Sequence, residues 1–292
     1  MRVHHLNCIS TCPFGGWLMD GHSLALRGRL VCHCLLVEMP SCLVLVDTGF
    51  GLRDVSHPRT RLSWFFRALL APELAEAGTA IRQVATLGFD PRDVRHIVLT
   101  HLDFDHAGGL DDFPWASVHL PAAEAAVATA QRSWLDRQRF RPQQWGTRAN
   151  WRLQRAGGES WNGFAGTSQV DGLPPELLYV PLPGHTLGHA GVAVRAAGPG
   201  GREWLLQAGD AYFDHREMQA QPRCTPGLRF YQWMMEQDRA ARLANQARLR
   251  GLHGALGSRI QVLCSHDPAE LRLAADAGTR ARAGSTARPA AT

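Results

Sequence analysis

Two histidines and two aspartates fall within residues 101–106, in the pattern H-x-D-x-D-H, directly after the apolar run Ile97-Val98-Leu99. A strand end followed by a tight loop aims such side chains at one centre, and mixed imidazole and carboxylate donors suit zinc, iron or manganese. A plain helix start competes with that reading, since Asp is common near a first turn. Three further places shift the balance. Pro183-Gly184-His185-Thr186-Leu187-Gly188-His189 follows the apolar stretch 177–182, Gly209-Asp210 follows 204–206, and His266 follows 260–264. Each puts a potential ligand at a strand exit, and their joint occurrence in chain order makes coincidence a poor explanation.

The elements that must position these residues alternate between strand and helix, which indicates an α/β protein. Runs at 30–38 and 42–46, separated by Met39-Pro40-Ser41, predict a hairpin, and the second ends in the Gly turn Asp47-Thr48-Gly49. A helix is predicted at 79–87. The stretch 121–139 reads as one long helix, with Pro121 in its first turn, Glu124 complementing the dipole and alanines filling the body. Residues 140–176 lack periodicity and are expected to form a surface insertion. Strands are predicted at 177–182, 190–195, 204–206 and 260–264, with helix at 231–250. A single domain is expected over 1–277, and a disordered tail over 278–292. Leu62, Trp64, Phe65, Phe66, Leu69 and Leu70 are too dense for one amphipathic stripe, so a lid, a contact surface and ordinary core packing all remain open.

Composition narrows the function classes. The 292 residues are 45% hydrophobic, enough for a full core. The net charge of +5 falls to +2 without Arg280, Arg282 and Arg288 of the tail, and all 31 basic residues are arginine. That balance does not demand an anionic partner. Seven cysteines form no disulfide framework; Cys32-His33-Cys34 lacks a second half for a zinc site and reads as buried thiols on a strand, and Cys8 and Cys12 follow no pairing pattern. No apolar run approaches the ~18 residues of a membrane span. The N-terminus shows no apolar signal core, so the expected location is the cytoplasm. Between Arg132 and Arg155, seven arginines interleave with Trp134, Phe140, Trp145 and Trp151. That mixture is compatible with nucleic-acid binding, but a solvated helix face followed by a lid explains it as well.

Taken together, Asp47-Thr48-Gly49, residues 101–109 and 185–189, Asp210 and His266 resemble the metallo-β-lactamase superfamily, in its lactonase and glyoxalase II-like branches. The resemblance covers roughly residues 30–270. It implies a four-layer αβ/βα sandwich with two divalent ions at one edge, zinc first and iron or manganese as alternatives. One ion would be held by His101, Asp103 and His185, the other by Asp105, His106 and His266, with Asp210 bridging. A water between the ions would be the nucleophile, with Asp105 helping to orient it or accept its proton. His189 would support a ligand from behind, in preference to displacing His185 as a ligand; Tyr212 would either donate a hydrogen bond to the substrate or oxyanion or pack as an ordinary tyrosine. The implied reaction is hydrolysis of a small ester, lactone or thioester, with Trp64, Phe65 and Phe66 as candidates for an acyl pocket. Only 26 residues follow His266, too few for the helical substrate domain of a glyoxalase II, which favours the lactonase side. Phosphodiester hydrolysis is the alternative, followed by a noncatalytic binding role.

Asp103 is the departure from the family's usual H-x-H-x-D-H. With it, three carboxylates and a hydroxide formally cancel two divalent ions, whereas a histidine would leave one positive charge. The flavodiiron oxidoreductases resemble this pattern in having an acid there, but they require a flavin-bearing domain for which no room follows His266. The pattern sets neither the identity of the metal, nor the oligomeric state, nor whether both sites are filled, since Asp103 could weaken the first and leave one ion bound.

Overall fold

The computed structural model describes residues 1–146, 150–155, 157–196 and 201–276. Among the described residues, eleven strands form two sheets. The first runs β1 (Arg2–Asn7), β2 (His33–Glu38), β3 (Leu43–Val46), β4 (Val94–Val98), β5 (Ser117–Pro121) and β6 (Trp151–Gln154), each beside the next. The second comprises β7 (Ser168–Gln169), β8 (Leu177–Pro181), β9 (Ala190–Arg195), β10 (Trp204–Gln207) and β11 (Ile260–Leu263), in the order β11-β10-β9-β8-β7. The expected hairpin is present, with Glu38 opposite Leu43, and β3 to β6 are mutually parallel.

Strand periodicity divides the apolar residues among three layers of core. Leu36, Leu45 and Ile97 pack outward against helices that carry Phe66 and Val84. Leu35, Val37, Val44, Val46 and Val98 face inward, against Leu177, Tyr179, Val192, Val194, Leu205 and Leu263 of the other sheet. On that sheet's far side Val180, Ala193, Leu206 and Val262 meet Leu249 and Leu252 of the helix Arg239–Leu256. The result is the expected helix–sheet–sheet–helix sandwich, and burial on both faces explains why the strands read as continuous apolar runs. The buried Tyr179 hydroxyl donates to the Leu99 carbonyl at 3.2 Å and ties the two sheets together at the end where the metal-binding loop begins.

Two predicted helices divide. The stretch 121–139 is two helices, Ala122–Ala130 and Trp134–Arg139, separated at Gln131, which takes a left-handed φ of 40°. Ser133 and Asp136 then form a capping box that starts the second helix in a new direction. Alanine-rich composition before Gln131 hid the break, because it carries the helical pattern up to the turn. Likewise, the predicted 231–250 is Pro226–Met235 and Arg239–Leu256, capped by Thr225 and Asp238. Residues 140–176, expected as a surface insertion, contribute β6 and β7, an edge strand for each sheet. Strands of four and two residues are too short to show a period in sequence. The expected tail 278–292 lies outside the described residues. No helix among the described residues is long and apolar enough to cross a membrane.

Candidate metal centre

The loop after β4 turns at once into the short helix Phe104–Ala107, whose N-cap is Asp103; the amides of His106 and Ala107 both donate to its carbonyl at 3.0 Å. This turn sends His101, Asp103, Asp105 and His106 toward the mouths of both sheets. His185 arrives from the loop after β8, Asp210 from the turn after β10 and His266 from the end of β11. All seven expected ligands are buried, and they fall into overlapping groups whose donor atoms lie within 4.8 Å of one another: His101, Asp103, His185 and Asp210 in one, and His106, Asp210 and His266 in another. Asp105 and His266 group with the thiol of Cys32, so one expected buried thiol lies at the centre.

Asp210 is the hub. Its carboxylate lies 3.2 Å from His106 Nε2, 3.1 Å from His266 Nε2, 3.4 Å from His185 Nε2 and 3.8 Å from His101 Nε2. Burial alone would raise its pKa, but His266, His106 and His185 hold it well below the usual carboxylate range. Gly209 makes the approach possible. It sits at a φ of 57°, and a Cβ there would come within 2.5 Å of His189 Nε2. Close packing lets the Asp210 amide donate to His189 Nε2 at 2.9 Å, while His189 Nδ1 donates to the Leu182 carbonyl. His189 therefore supports Asp210 from behind, as expected.

The ring orientations are set by groups outside the cluster. His106 donates from Nδ1 to Asp47 Oδ2 at 2.9 Å, and His266 donates from Nδ1 to the Val31 carbonyl at 2.8 Å. His101 donates from Nδ1 to Thr100 Oγ1, which in turn donates to Asp47 Oδ2. Each arrangement turns Nε2 inward, the nitrogen that a neutral ring offers to a metal; against the effect of burial, Asp210 holds His106 and His266 well above the usual imidazole range, with His266 Nε2 3.1 Å from Asp210 Oδ2. His101 Nε2, His106 Nε2 and Asp210 Oδ1 are buried with no hydrogen-bond partner. Unpaired buried polar atoms are costly, and a cation at their focus is the group that would satisfy them. The donor set fits a metal. Burial raises the Asp105 carboxyl, with Asp210 and Asp103 adding to the rise against the pull of His106 and His266.

Asp103 and Tyr212 depart from expectation. Asp103 is in the cluster, but both its oxygens accept from the buried Arg139, Nε to Oδ1 and Nη2 to Oδ2, each at 2.6 Å. The structure does not bring Tyr212 to the centre. Its ring packs with Leu206, Leu249 and Val262 on the far side of the second sheet, and its hydroxyl donates to Glu270 Oε1 at 2.8 Å. The turn after Asp210 carries it there. Glu270 is buried, and burial together with Asp267 pushes its carboxyl up to about 8. A carboxyl raised in the fold stabilises below its unfolded pKa and loses that contribution as pH rises through the folded value. Glu270→Gln is therefore expected to lose less thermal stability than the wild type between pH 6 and 9, as melting curves across that range would show; parallel curves would count against it.

Sequence reasoning passed over several groups at the site. Asp47 was visible as a strand-end turn, not as the anchor of His106. Glu124 was read as a dipole partner, yet it is fully buried, accepting from the Leu102 amide and the Thr186 hydroxyl and joining two ligand loops. Tyr231, on the helix Pro226–Met235, is buried near the centre: burial and then Asp105, Asp103 and Asp210 drive its phenol well up. Its ring lies 5.7 Å from Phe213, which stacks on His266. Hydrophobic spacing alone would have placed Tyr231 in a core.

The aromatic residues 64–66 diverge. Phe66 is core, Phe65 packs edge-on to Trp134, and Trp64 is 65% exposed. The arginine-rich stretch does not present one face either: Arg139 and Phe140 are buried, Arg141 donates to the Arg61 carbonyl, and Arg148 lies outside the described residues. A cavity of about 430 Å³, within the range of small-molecule sites, opens between the helices Ala122–Ala130 and Trp134–Arg139, with Arg139 and Met235 in its wall.

Comparison with known proteins agrees with this fold. The family profile described as the metallo-beta-lactamase superfamily matches residues 27–201. A probable metallo-hydrolase of Mycobacterium tuberculosis is 41% identical over 277 residues, covering 94% of this chain and 83% of the relative. An N-acyl homoserine lactonase of Rhizobium johnstonii is 28% identical over 199 residues, 64% of this chain and 68% of that protein. Among solved structures, an N-acyl homoserine lactone hydrolase with N-hexanoyl-L-homoserine bound at its catalytic metal centre superposes with a TM-score of 0.69 at 17% identity, over 93% of this chain and 95% of that one. A dizinc quorum-quenching lactonase gives 0.59 at 15%, over 92% and 87%.

Proposed function

The chain belongs to the metallo-β-lactamase superfamily, and on that premise we propose that this metal-dependent hydrolase opens small lactones, with other esters and thioesters as its next substrates. The observation that carries the reading is the set of buried, unpaired donors, His101 Nε2, His106 Nε2 and Asp210 Oδ1, turned to one centre by partners on their other sides. Relatives that are N-acyl homoserine lactonases support the choice of a lactone.

In this reading His101, Asp103 and His185 hold one divalent ion, Asp105, His106 and His266 the other, and Asp210 serves both. Zinc is taken first, with iron and manganese as alternatives, because four of the seven proposed ligands are imidazoles. When bound, the ions polarise the scissile carbonyl and acidify water from a pKa of 15.7 toward about 7. The protein supplies the rest. Asp47 and the Val31 carbonyl lock the His106 and His266 rings, Asp210 holds the imidazoles together, and Asp105, its carboxyl raised by burial, takes up the proton lost by the attacking water.

Tyr231 assumes the role expected of Tyr212, donating its phenolic proton to the carbonyl oxygen as charge develops there. Tyr231→Phe is expected to lower kcat by about 10²-fold, in the range of a lost oxyanion donor, with metal content unchanged. Tyr212→Phe is expected to leave kcat within about twofold, since that hydroxyl serves Glu270. Equal effects of the two variants on kcat would remove Tyr231 from this role.

The reading is tested by metal analysis of the purified protein, joined to a hydrolysis screen with an N-acyl homoserine lactone, a thioester and a phosphodiester. Lactone opening that is lost with a chelator and restored by zinc is the expected result. Turnover of the phosphodiester alone, or chelator-insensitive turnover, would overturn it.

A further inference from the structure

Arg139 is the largest of the fully buried side chains, and a guanidinium held out of water must find acceptors for its whole fork. It finds them at the metal centre. Besides the two bonds to Asp103, Nη1 donates to the Met235 carbonyl at 2.6 Å and more distantly to the His185 carbonyl at 3.4 Å, and Nη2 lies 2.7 Å from His185 Nε2. Three separate segments thus fix its position: the loop after β4, the loop after β8 and the end of the helix Pro226–Met235. The planar fork matches the carboxylate edge of Asp103 on both oxygens, a geometry that a lysine could not supply.

The consequence falls unequally on the two metal positions. Asp103 Oδ2 and His185 Nε2 are two of the three donors proposed for the first ion, and Nη2 already bonds both. Only His101 Nε2 is left unpaired there. At the second position no arginine pairs with Asp105, His106, Asp210 or His266 among the described residues; the contacts there run within the donor set itself, His106 Nε2 3.2 Å from Asp210 Oδ1 and His266 Nε2 3.1 Å from Asp210 Oδ2.

We propose that Arg139 is a resident cation at the first metal position, so that one divalent ion binds tightly among Asp105, His106, Asp210 and His266, and a second reaches His101, Asp103 and His185 only by displacing the guanidinium. The inference rests on the metallo-hydrolase reading and refines it. It also gives Asp103 a reason. The guanidinium returns the positive charge that the replacement of a histidine by an aspartate removes, and it opposes a divalent ion brought within a few ångströms.

The test is stepwise binding of Zn²⁺ to the metal-free full chain, read by chelator competition and by metal content after dialysis. The wild type is expected to keep one ion and to bind a second at least about 100-fold more weakly, as like charges a few ångströms apart require. His266→Ala should abolish the tight ion, and His101→Ala should leave it in place. The double variant Arg139→Met/Asp103→His, which removes the cation and supplies a neutral donor, should keep two ions. Arg139→Lys should still keep one. Two ions of comparable affinity in the wild type, or loss of the tight ion in His101→Ala, would overturn the inference and leave the hydrolase reading intact. A wild type that binds no ion would overturn the hydrolase reading itself. The wild-type isotherm and the two histidine variants decide the matter even if the double variant does not fold.

Discussion

Asp210→Ala is expected to lower kcat/KM for the best substrate by about 10³-fold, equivalent to some 4 kcal/mol of transition-state stabilisation and in line with the several kcal/mol that a metal centre contributes. Among the described residues, Asp210 is the one carboxylate within 4 Å of all four inward imidazoles, His101, His106, His185 and His266. Removing it takes a ligand from both metal positions and the charge that draws the imidazoles together. Metal content should fall in parallel, which separates this variant from one damaged only in substrate binding. Asp47→Asn offers the graded comparison: it leaves the ligands intact but loosens the His106 ring, and should cost about 10–100-fold in metal affinity. Steady-state kinetics with metal analysis on the three proteins gives the order. An Asp210→Ala protein with more than a tenth of wild-type activity would remove Asp210 from the centre.

Arg139→Met carries the second large effect, on stability. The substitution leaves the Asp103 carboxylate buried without its cation, and breaking a buried pair from one side costs about 3–5 kcal/mol. In a chelator-treated sample the melting temperature should drop by about 10 °C, given the few degrees that each kcal/mol shifts for chains of this size. Added zinc should recover much of the loss, because an ion at His101, Asp103 and His185 would replace the missing charge. Arg139→Met/Asp103→Asn should be more stable without metal than Arg139→Met, since it leaves no unpaired charge. A single variant as stable as the wild type in chelator would show that the ion pair contributes nothing to the fold.

The two stability predictions differ in kind. Glu270 is a carboxyl that burial keeps protonated, and its effect follows pH. Asp103 is held far below the usual range by Arg139 against the opposing effect of burial, and its effect follows whichever cation stands beside it.

The ligand residues were legible because metal chemistry needs particular side chains, and strand exits are the places where a sandwich can collect them. His101 to His106, His185, Asp210 and His266 all follow apolar runs, and those runs are continuous because each strand is buried on two faces. The layered fold followed from the same pattern. The break in 121–139 did not, because the alanines before Gln131 and the Leu, Arg and Gln after it favour helix, and the turn depends on one left-handed residue and a local cap. The edge strands β6 and β7 were too short to leave a period.

Sequence by itself determined the candidate donors and the class of chemistry, through residue type and spacing along single loops. The tertiary structure alone decided which charges meet. Arg139 is one of 31 arginines, 36 positions from Asp103, and nothing local marks it. It reaches the aspartate because the capped helix Trp134–Arg139 ends against the loops after β4 and β8. Tyr212 and Tyr231 were likewise exchanged: proximity in sequence placed the first beside Asp210, but the turn directs it to Glu270, while a helix from another part of the chain brings the second to the carboxylates. Coulomb energy depends on distance in space and on dielectric, and neither can be read from separation along a chain.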